Sequence, residues 1–231
     1  MTGKIAKIIE QRTGHQDLIE LLADRLSGAD LNSLLLEVFA RRAEKLTAPA
    51  LLKQYERNRF VQPADTDYIH LLEKSVQTLK CLSGHGFVPR QMSPLSQLGT
   101  CSVIATVSQS KVVSALRNCE VLSDASNALA LYISSLKKEH PQSGHLKYCT
   151  VQRHVRAQQF NIKGFEPHFT IGCMVSSGMD TGSYTFEKQA IGEHFTALYD
   201  LLGTVFKAER IWFKLQPRDN SDLIPHISDY L

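Results

Sequence analysis

The apolar residues of this chain change their spacing once, and that change constrains the fold more than any other feature of the sequence. Up to residue 82 they recur at helical intervals, and the longest such segment, residues 66–82, is followed by Ser83-Gly84-His85-Gly86, a sequence typical of a helix C-terminus. Beyond Gly86, several short segments alternate apolar and polar residues, as β-strands do. A helical first part followed by a strand-rich second part predicts an α+β fold.

The first 65 residues are predicted to be helical. Helices are expected at 17–26, at 31–45 with Asp30 as its cap, and from the cap Thr47 onward. The second helix carries an apolar stripe of Leu34, Leu35, Val38 and Phe39, which predicts that it packs against another surface. The polar stretch VQPADTD follows, so we divide the chain into a helical N-terminal segment, 1–65, and an α+β core, 66–231.

The core is predicted to be a mainly antiparallel sheet that carries helices on its face. Strands are expected within 86–99, 100–108, 118–122, 147–155, 168–177 and 208–216. Helices are expected at 109–117, 126–138 and 186–206, with Ser126 as the cap of the second.

Composition excludes several classes of protein. No apolar stretch approaches the roughly 20 residues of a membrane span, and the first residues lack the apolar region of a signal peptide, so we expect a cytoplasmic protein. The net charge of +3 does not indicate nucleic-acid binding. The five cysteines include no C-x-x-C pair, and the histidines show no ligand spacing on one helix. We therefore expect neither a disulfide framework nor a metal site.

Two arginines lie three residues apart in CTVQRHVRAQQF, residues 149–160. Strand alternation places Arg153 on the same face as Cys149 and Val151, which we expect to be the buried face. A buried guanidinium needs a carboxylate or phosphate partner. Arg153 and Arg156 are therefore candidates to bind an anionic ligand, and the alternatives are an internal ion pair with Asp124 or Glu120, or one arginine that faces solvent.

Several segments, in this order, resemble the catalytic core of class II aminoacyl-tRNA synthetases, closest to the histidyl branch and its non-synthetase paralogues. The helix 66–82 with the strand that ends at Ser93-Pro94 resembles the first motif, which in that family forms a dimer interface. NCEVLSDASNALALYISS, residues 118–135, resembles a strand-to-helix segment of histidyl enzymes, and QRHVRAQQF resembles the second motif. The residues on matching positions are Arg153, Arg156, Gln158, Phe169, Asp124 and Ser126.

The resemblance implies ligand-binding roles for those six residues and a homodimer through residues 66–95. It also contains departures: Val155 stands where the family has the glutamate that contacts adenine, Ala157 replaces a proline, and the region after 216, where the third motif would lie, contains no glycine. Because phosphoryl and adenylyl transfer depend on such charged contacts, we do not expect aminoacylation. The cofactor is unknown; the resemblance allows ATP, with Mg²⁺ if ATP is bound.

We therefore interpret the chain as a stand-alone synthetase-like paralogue that binds a small anionic ligand, an amino acid or a nucleotide, in a regulatory or accessory role. A companion protein subunit could complete it. One alternative is an ATP-dependent ligase that activates a small carboxylate.

A second alternative is a 2H-type phosphoesterase, because His168-Phe169-Thr170-Ile171 and His194-Phe195-Thr196-Ala197 resemble the doubled signature of that class. Cys101 is a further candidate, either as a nucleophile or as a small buried hydrophobe. The glycine-spaced loop at 176–183 is predicted to be a hairpin turn, with an anion cradle as its alternative.

Overall fold

The computed structural model of the chain describes residues 2–105, 107–158 and 165–216, together with Pro225. Its helices are α1 (Thr2–Thr13), α2 (Leu18–Glu20, continued by a π-helical turn, Leu21–Arg25), α3 (Gly28–Ala43), α4 (Ala48–Arg57), α5 (Tyr68–Gly84), α6 (Thr100–Ile104), α7 (Ala125–Glu139) and α8 (Thr185–Thr204). A 3₁₀ turn spans Gln109–Lys111. None of the described helices is long and apolar enough to cross a membrane.

The strands form two small sheets. They are β1 (Val88–Pro89), β2 (Leu95–Gln97), β3 (Ser114–Ala115), β4 (Cys119–Val121), β5 (Leu146–Val155) and β6 (His168–Ser177). The first sheet has the order β1-β5-β6, in which β1 pairs with β5 in parallel and β5 pairs with β6 in antiparallel orientation. The second sheet has the order β2-β4-β3 and is antiparallel. The predicted α+β class, with a mainly antiparallel sheet, is confirmed.

Helices cover both faces of the long β5–β6 hairpin. On one face, Cys149 packs with Leu82 and Phe87 from the α5 end and with Ala197 and Leu201 of α8. On the other face, Tyr148 packs with two buried residues of α7, Leu129 and Ile133. Consecutive residues of β5 therefore alternate between two helical layers. The segment keeps the period of a strand although both of its faces are buried.

The helical N-terminal segment has the predicted elements but little contact with the core. Helices α2, α3 and α4 contain no buried residue, and the predicted stripe is open, with Leu34, Val38 and Phe39 between 41 and 55% exposed. The prediction that this stripe packs against another surface is therefore wrong within the single chain. The boundary at residue 65 stays a prediction.

A short connection between α4 and α5 does contact the core. The Arg59 guanidinium donates a hydrogen bond to the Ala157 carbonyl at 2.6 Å, and the Gln62 carbonyl lies 2.7 Å from His168 Nε2. The Asp65 amide donates to Glu166 Oε1 at 3.0 Å. We call residues 58–65 the strap, because they lie across the two ends of the β5–β6 connection.

Three predicted elements are wrong. Residues 100–108 do not form a strand but begin with the short helix α6. Residues 109–117 form the 3₁₀ turn and β3 instead of a helix, because Ser114–Ala115 pairs with β4. Residues 208–216 have no regular secondary structure. The caps also differ, since Ser27 caps α3 and Asp124 caps α7 where Asp30 and Ser126 were expected.

Candidate functional site

The register of the β5–β6 hairpin separates two of the predicted site residues. Arg153 lies opposite Thr170, and His154 lies opposite Phe169. Because neighbouring residues of a strand point to opposite faces, Arg153 and Phe169 are on opposite sides of the sheet. The six predicted residues therefore cannot form one site.

Arg153 is exposed, so the prediction of a buried guanidinium at this position is wrong. The layer of α5 and α8 buries Cys149 on the same strand face but does not extend as far as Arg153. Its guanidinium instead donates a hydrogen bond to His168 Nδ1, while His168 Nε2 donates to the strap at Gln62. Arg153 therefore has a structural partner in the protein.

Four of the predicted residues do come together on the other face, at the N-terminus of α7. Arg156 Nε donates to the Ser123 carbonyl at 3.2 Å, and its Cζ lies 5.4 Å from the centre of the Phe169 ring. Asp124 caps the helix by accepting from the amide and the hydroxyl of Ser126, at 2.9 and 2.5 Å. We call Asp124, Ser126, Arg156 and Phe169, together with His154, the α7 site.

Arg156 is half-buried, and its guanidinium has no ionic partner among the described residues. Within the described residues no carboxylate lies within 4.0 Å of its guanidinium nitrogens. The internal pair with Glu120 does not form, because Glu120 accepts from the amides of Gly99 and Cys101 instead. The guanidinium therefore keeps donors available for a ligand.

His154 was missed by the sequence analysis, although it organises the α7 site. It is 1% exposed, and its Nε2 accepts from the Ala125 amide at 2.9 Å, while Nδ1 lies 2.8 Å from the Gln152 carbonyl and donates to it. The imidazole stacks on Phe169 with 6.4 Å between ring centres. Alternation placed it on the α7 face, but no local pattern shows that a helix 29 residues earlier in the chain needs its nitrogen.

Burial lowers the pKa of His154, because desolvation disfavours the imidazolium. The pKa of His194 is lowered for the same reason. As the pH falls, each histidine is therefore protonated in the unfolded chain before it is protonated in the folded chain, at the usual histidine pKa of about 6.5. Stability is therefore complete above that pH and is lost as the pH falls below it, by up to roughly 1.4 kcal/mol per pH unit for each histidine.

We expect His154→Gln to weaken this pH dependence. The variant is less stable at pH 7.5, because it loses the imidazole ring that stacks on Phe169, but its free energy of unfolding falls less steeply between pH 6.5 and pH 5. Urea unfolding at a series of pH values measures both effects. His70→Gln, at an exposed position of α5, is the control, and its stability should depend on pH as that of the unsubstituted chain does. Equal slopes of stability against pH in all three proteins would contradict the assignment of this pH dependence to His154.

Gln158 is exposed, and its side chain forms no hydrogen bond with a described residue. The rest of the predicted second motif, Gln159 and Phe160, lies outside the described residues. The region after residue 216, where the third motif was sought, is likewise outside them apart from Pro225.

The geometry does not support the other chemical alternatives. Cys101 is 1% exposed, its Sγ lies 2.8 Å from Ser123 Oγ, and burial raises the pKa of its thiol, so it resembles a buried hydrophobe and not a nucleophile. The second phosphoesterase signature lies in α8, not on a strand. His168 begins β6 and His194 contacts Ser176 near its other end, about 26 Å away at strand spacing.

The loop after β6 is not a hairpin turn, because α8 and not a strand follows it. It is closed by the Asp180 carboxylate, which accepts from the Phe186 amide at 3.2 Å. Gly178 lies so close to Phe186 that an added Cβ would come within 2.4 Å of its ring. The glycine is therefore required for packing of the loop against α8.

Comparisons with known proteins give a distant structural likeness. No family model matches the chain, and no curated protein matches it by sequence. An ATP phosphoribosyltransferase regulatory subunit/histidyl-tRNA synthetase from Bacillus halodurans is similar over 61% of this chain and 36% of its own, with 14% identity and a TM-score of 0.47. Pyrrolysyl-tRNA synthetase from Desulfitobacterium hafniense is similar over 61% of this chain and 48% of its own, with 13% identity and a TM-score of 0.48.

The chain therefore spans less than half of the length of either structure. Both of these proteins are described as tRNA synthetases, the first also as a regulatory subunit.

Proposed function

We propose that this chain is a stand-alone class II synthetase-like protein that binds a free amino acid at the α7 site, in a regulatory or accessory role. The observation that carries the proposal is the half-buried guanidinium of Arg156, which has no carboxylate partner among the described residues. Burying such a group without a counter-charge is costly, so a ligand that supplies a carboxylate would be stabilised there.

Arg156 is oriented for this task by its neighbours. Its Nε donates a hydrogen bond to the Ser123 carbonyl, and its guanidinium lies over the Phe169 ring. The terminal nitrogens are left to bind a carboxylate with two parallel hydrogen bonds, the geometry that a guanidinium fork favours.

Asp124 supplies the opposite charge beside it. Among the described residues, both hydrogen bonds that this carboxylate accepts end on Oδ1, so Oδ2 is available. A cation and an anion at the start of one helix match the carboxylate and the ammonium group of a free amino acid. A nucleoside triphosphate carries several negative charges, which Asp124 would repel. For this reason we favour the amino acid over the nucleotide and the regulatory role over the ligase.

We expect Arg156→Ala to abolish the stabilisation by the ligand. A thermal-shift series with each standard amino acid, and with ATP and Mg²⁺, identifies the ligand, since a compound at 100 times its Kd stabilises the fold by about 2.7 kcal/mol. For a chain of this length that is a rise in Tm of roughly 5–10 °C. In Arg156→Ala the rise disappears, because the ligand carboxylate loses the guanidinium that pairs with it.

Arg153→Ala is the matched control, because it removes the same charge from the opposite face of the hairpin. It should respond to the ligand as the unsubstituted chain does. A response to ATP alone would favour the ligase. Loss of the response in Arg153→Ala with retention in Arg156→Ala would overturn the proposal, and so would the absence of any response to an amino acid.

The assembly expected from the resemblance belongs to the same proposal. Helix α5 presents Ile69, Leu72 and Val76 on one exposed stripe, and Val88 of β1 is also exposed. Apolar stripes of this kind are typical of interfaces. We propose that residues 66–95 form a homodimer and that the open apolar faces of α3 and α4 receive a companion protein subunit.

A further inference from the structure

Three side chains of different chemistry converge between α5 and α8, away from the α7 site. Cys81 and His85 are four residues apart at the C-terminal end of α5, and Asp200 faces them from α8. His85 Nε2 lies 2.9 Å and Cys81 Sγ lies 3.4 Å from the same atom, Asp200 Oδ2. One ligand atom from each residue lies within 4.8 Å of the other two.

We propose that Cys81, His85 and Asp200 bind a Zn²⁺ ion. A thiolate, an imidazole nitrogen and a carboxylate oxygen are the donors that zinc prefers, whereas Mg²⁺ and Ca²⁺ prefer oxygen donors alone. Three protein ligands leave the fourth tetrahedral position open, as in zinc sites that hold a water or a substrate.

Two of the three distances between donor atoms need only small adjustments, and the third, between Cys81 Sγ and His85 Nε2, lies within 4.8 Å and has to close to the same range. Around a tetrahedral zinc with the usual bond lengths, donor atoms are about 3.4–3.6 Å apart. The sulfur-oxygen distance of 3.4 Å already has this value, and the nitrogen-oxygen distance of 2.9 Å must open slightly. The i, i+4 spacing on α5 keeps Cys81 and His85 on one helix face, so rotation of side chains is sufficient.

Cys81 and His85 share one acceptor, Asp200 Oδ2, in the cluster. Burial and the neighbouring carboxylate raise the pKa of the Cys81 thiol, so it is protonated and donates to Asp200. The hydrogen bond from His85 lowers the pKa of Asp200, which keeps that carboxylate ionised. When Zn²⁺ binds, the thiol proton is released to solvent, and the imidazole coordinates through Nε2 with its proton on Nδ1.

The cluster is partly open to solvent, because each of its three residues is half-buried. His85 lines a cavity of about 550 Å³ together with Lys147, Glu193 and Thr196. Lys147 is paired with Glu193 at 2.9 Å, so its charge is compensated close to the proposed cation. An ion can therefore enter without displacing the core packing of Leu82 and Leu201, which lies on the inner side of the same helices.

Metal titration of the full, tag-free chain tests the site. After treatment with a chelator, Zn²⁺ added in competition with a chromophoric chelator should bind in one equivalent. Co²⁺ in its place should give a thiolate-to-metal charge-transfer band and the intense visible bands of a tetrahedral site. We expect Asp200→Asn and His85→Gln to weaken Zn²⁺ binding by more than the roughly 100-fold that loss of an outer hydrogen-bond partner can cost, and Cys81→Ser to remove the charge-transfer band.

Two controls separate this site from non-specific binding. His70→Gln lies on the same helix and is exposed, and Cys119→Ser removes a half-buried thiol elsewhere. Both should bind as the unsubstituted chain does. Asp200→Asn keeps the size of the side chain and an oxygen acceptor for His85, so it preserves the fold if the other two variants do not. Absence of Zn²⁺ binding, a charge-transfer band that persists in Cys81→Ser, or unchanged affinity in Asp200→Asn would overturn the proposal.

Discussion

Replacing Glu120 with alanine is expected to lower the free energy of unfolding by about 3–5 kcal/mol, because three hydrogen-bond donors lose their buried acceptor. Glu120 is fully buried, and it accepts hydrogen bonds from the Gly99 amide, the Cys101 amide and the Gln109 side chain. Without it, those donors are left without their acceptor beneath α6, at about 1–3 kcal/mol for each unsatisfied group. Urea unfolding followed by circular dichroism measures the loss.

Glu120→Gln is the matched variant, since it keeps the shape of the side chain and one acceptor oxygen. Its amide nitrogen cannot accept from a backbone N–H, so we expect an intermediate loss of stability. If alanine and glutamine were both tolerated within about 0.5 kcal/mol, the carboxylate could not be what holds α6 in place. The Arg156 ligand response is measured separately and does not depend on this outcome.

Replacing Val76 with glutamate is expected to convert a homodimer into monomers. Val76 is 50% exposed at the C-terminal end of the α5 stripe, with Leu72 one turn before it. A symmetric interface would bury two new carboxylates, and even about 4 kcal/mol for the pair would raise the dissociation constant roughly 1000-fold. Sedimentation velocity over a range of protein concentrations follows the change.

Gln77→Glu provides the control, because it introduces the same charge about 100° around the helix from Val76. It should leave the association unchanged. A dimer that survives Val76→Glu, or an unsubstituted chain that is monomeric at high concentration, would show that the α5 stripe is not a self-association surface.

The elements with strong periodicity could be predicted from the sequence. The α5 and α8 helices and the β5–β6 hairpin lie where the spacing of apolar residues placed them, within a few residues. The region 100–117 could not be predicted locally. Helix α6 is capped by Glu120 from 19 residues further along the chain, at the Cys101 amide, and such a contact leaves no trace in the local pattern.

In the candidate site, too, residues in local motifs could be predicted, whereas contacts between distant parts of the chain could not. Asp124, Ser126, Arg156 and Phe169 were identified from their positions in motifs, and their mutual proximity follows from the register. Arg153 was assigned to the buried face because alternation identifies a face but not where the covering helices end. Cys81 and His85 could have been recognised as a possible ligand pair by their i, i+4 spacing, but Asp200 on another helix could not.

The strap described above links the N-terminal helices to the neighbourhood of the α7 site by hydrogen bonds. Arg59 holds the carbonyl of Ala157, the residue next to Arg156, and Gln62 holds the histidine that begins β6. A protein docked on α1–α4 would therefore act next to Arg156, whose guanidinium is proposed to bind the ligand. By the same path, occupancy of the site would alter how firmly the helical segment is anchored.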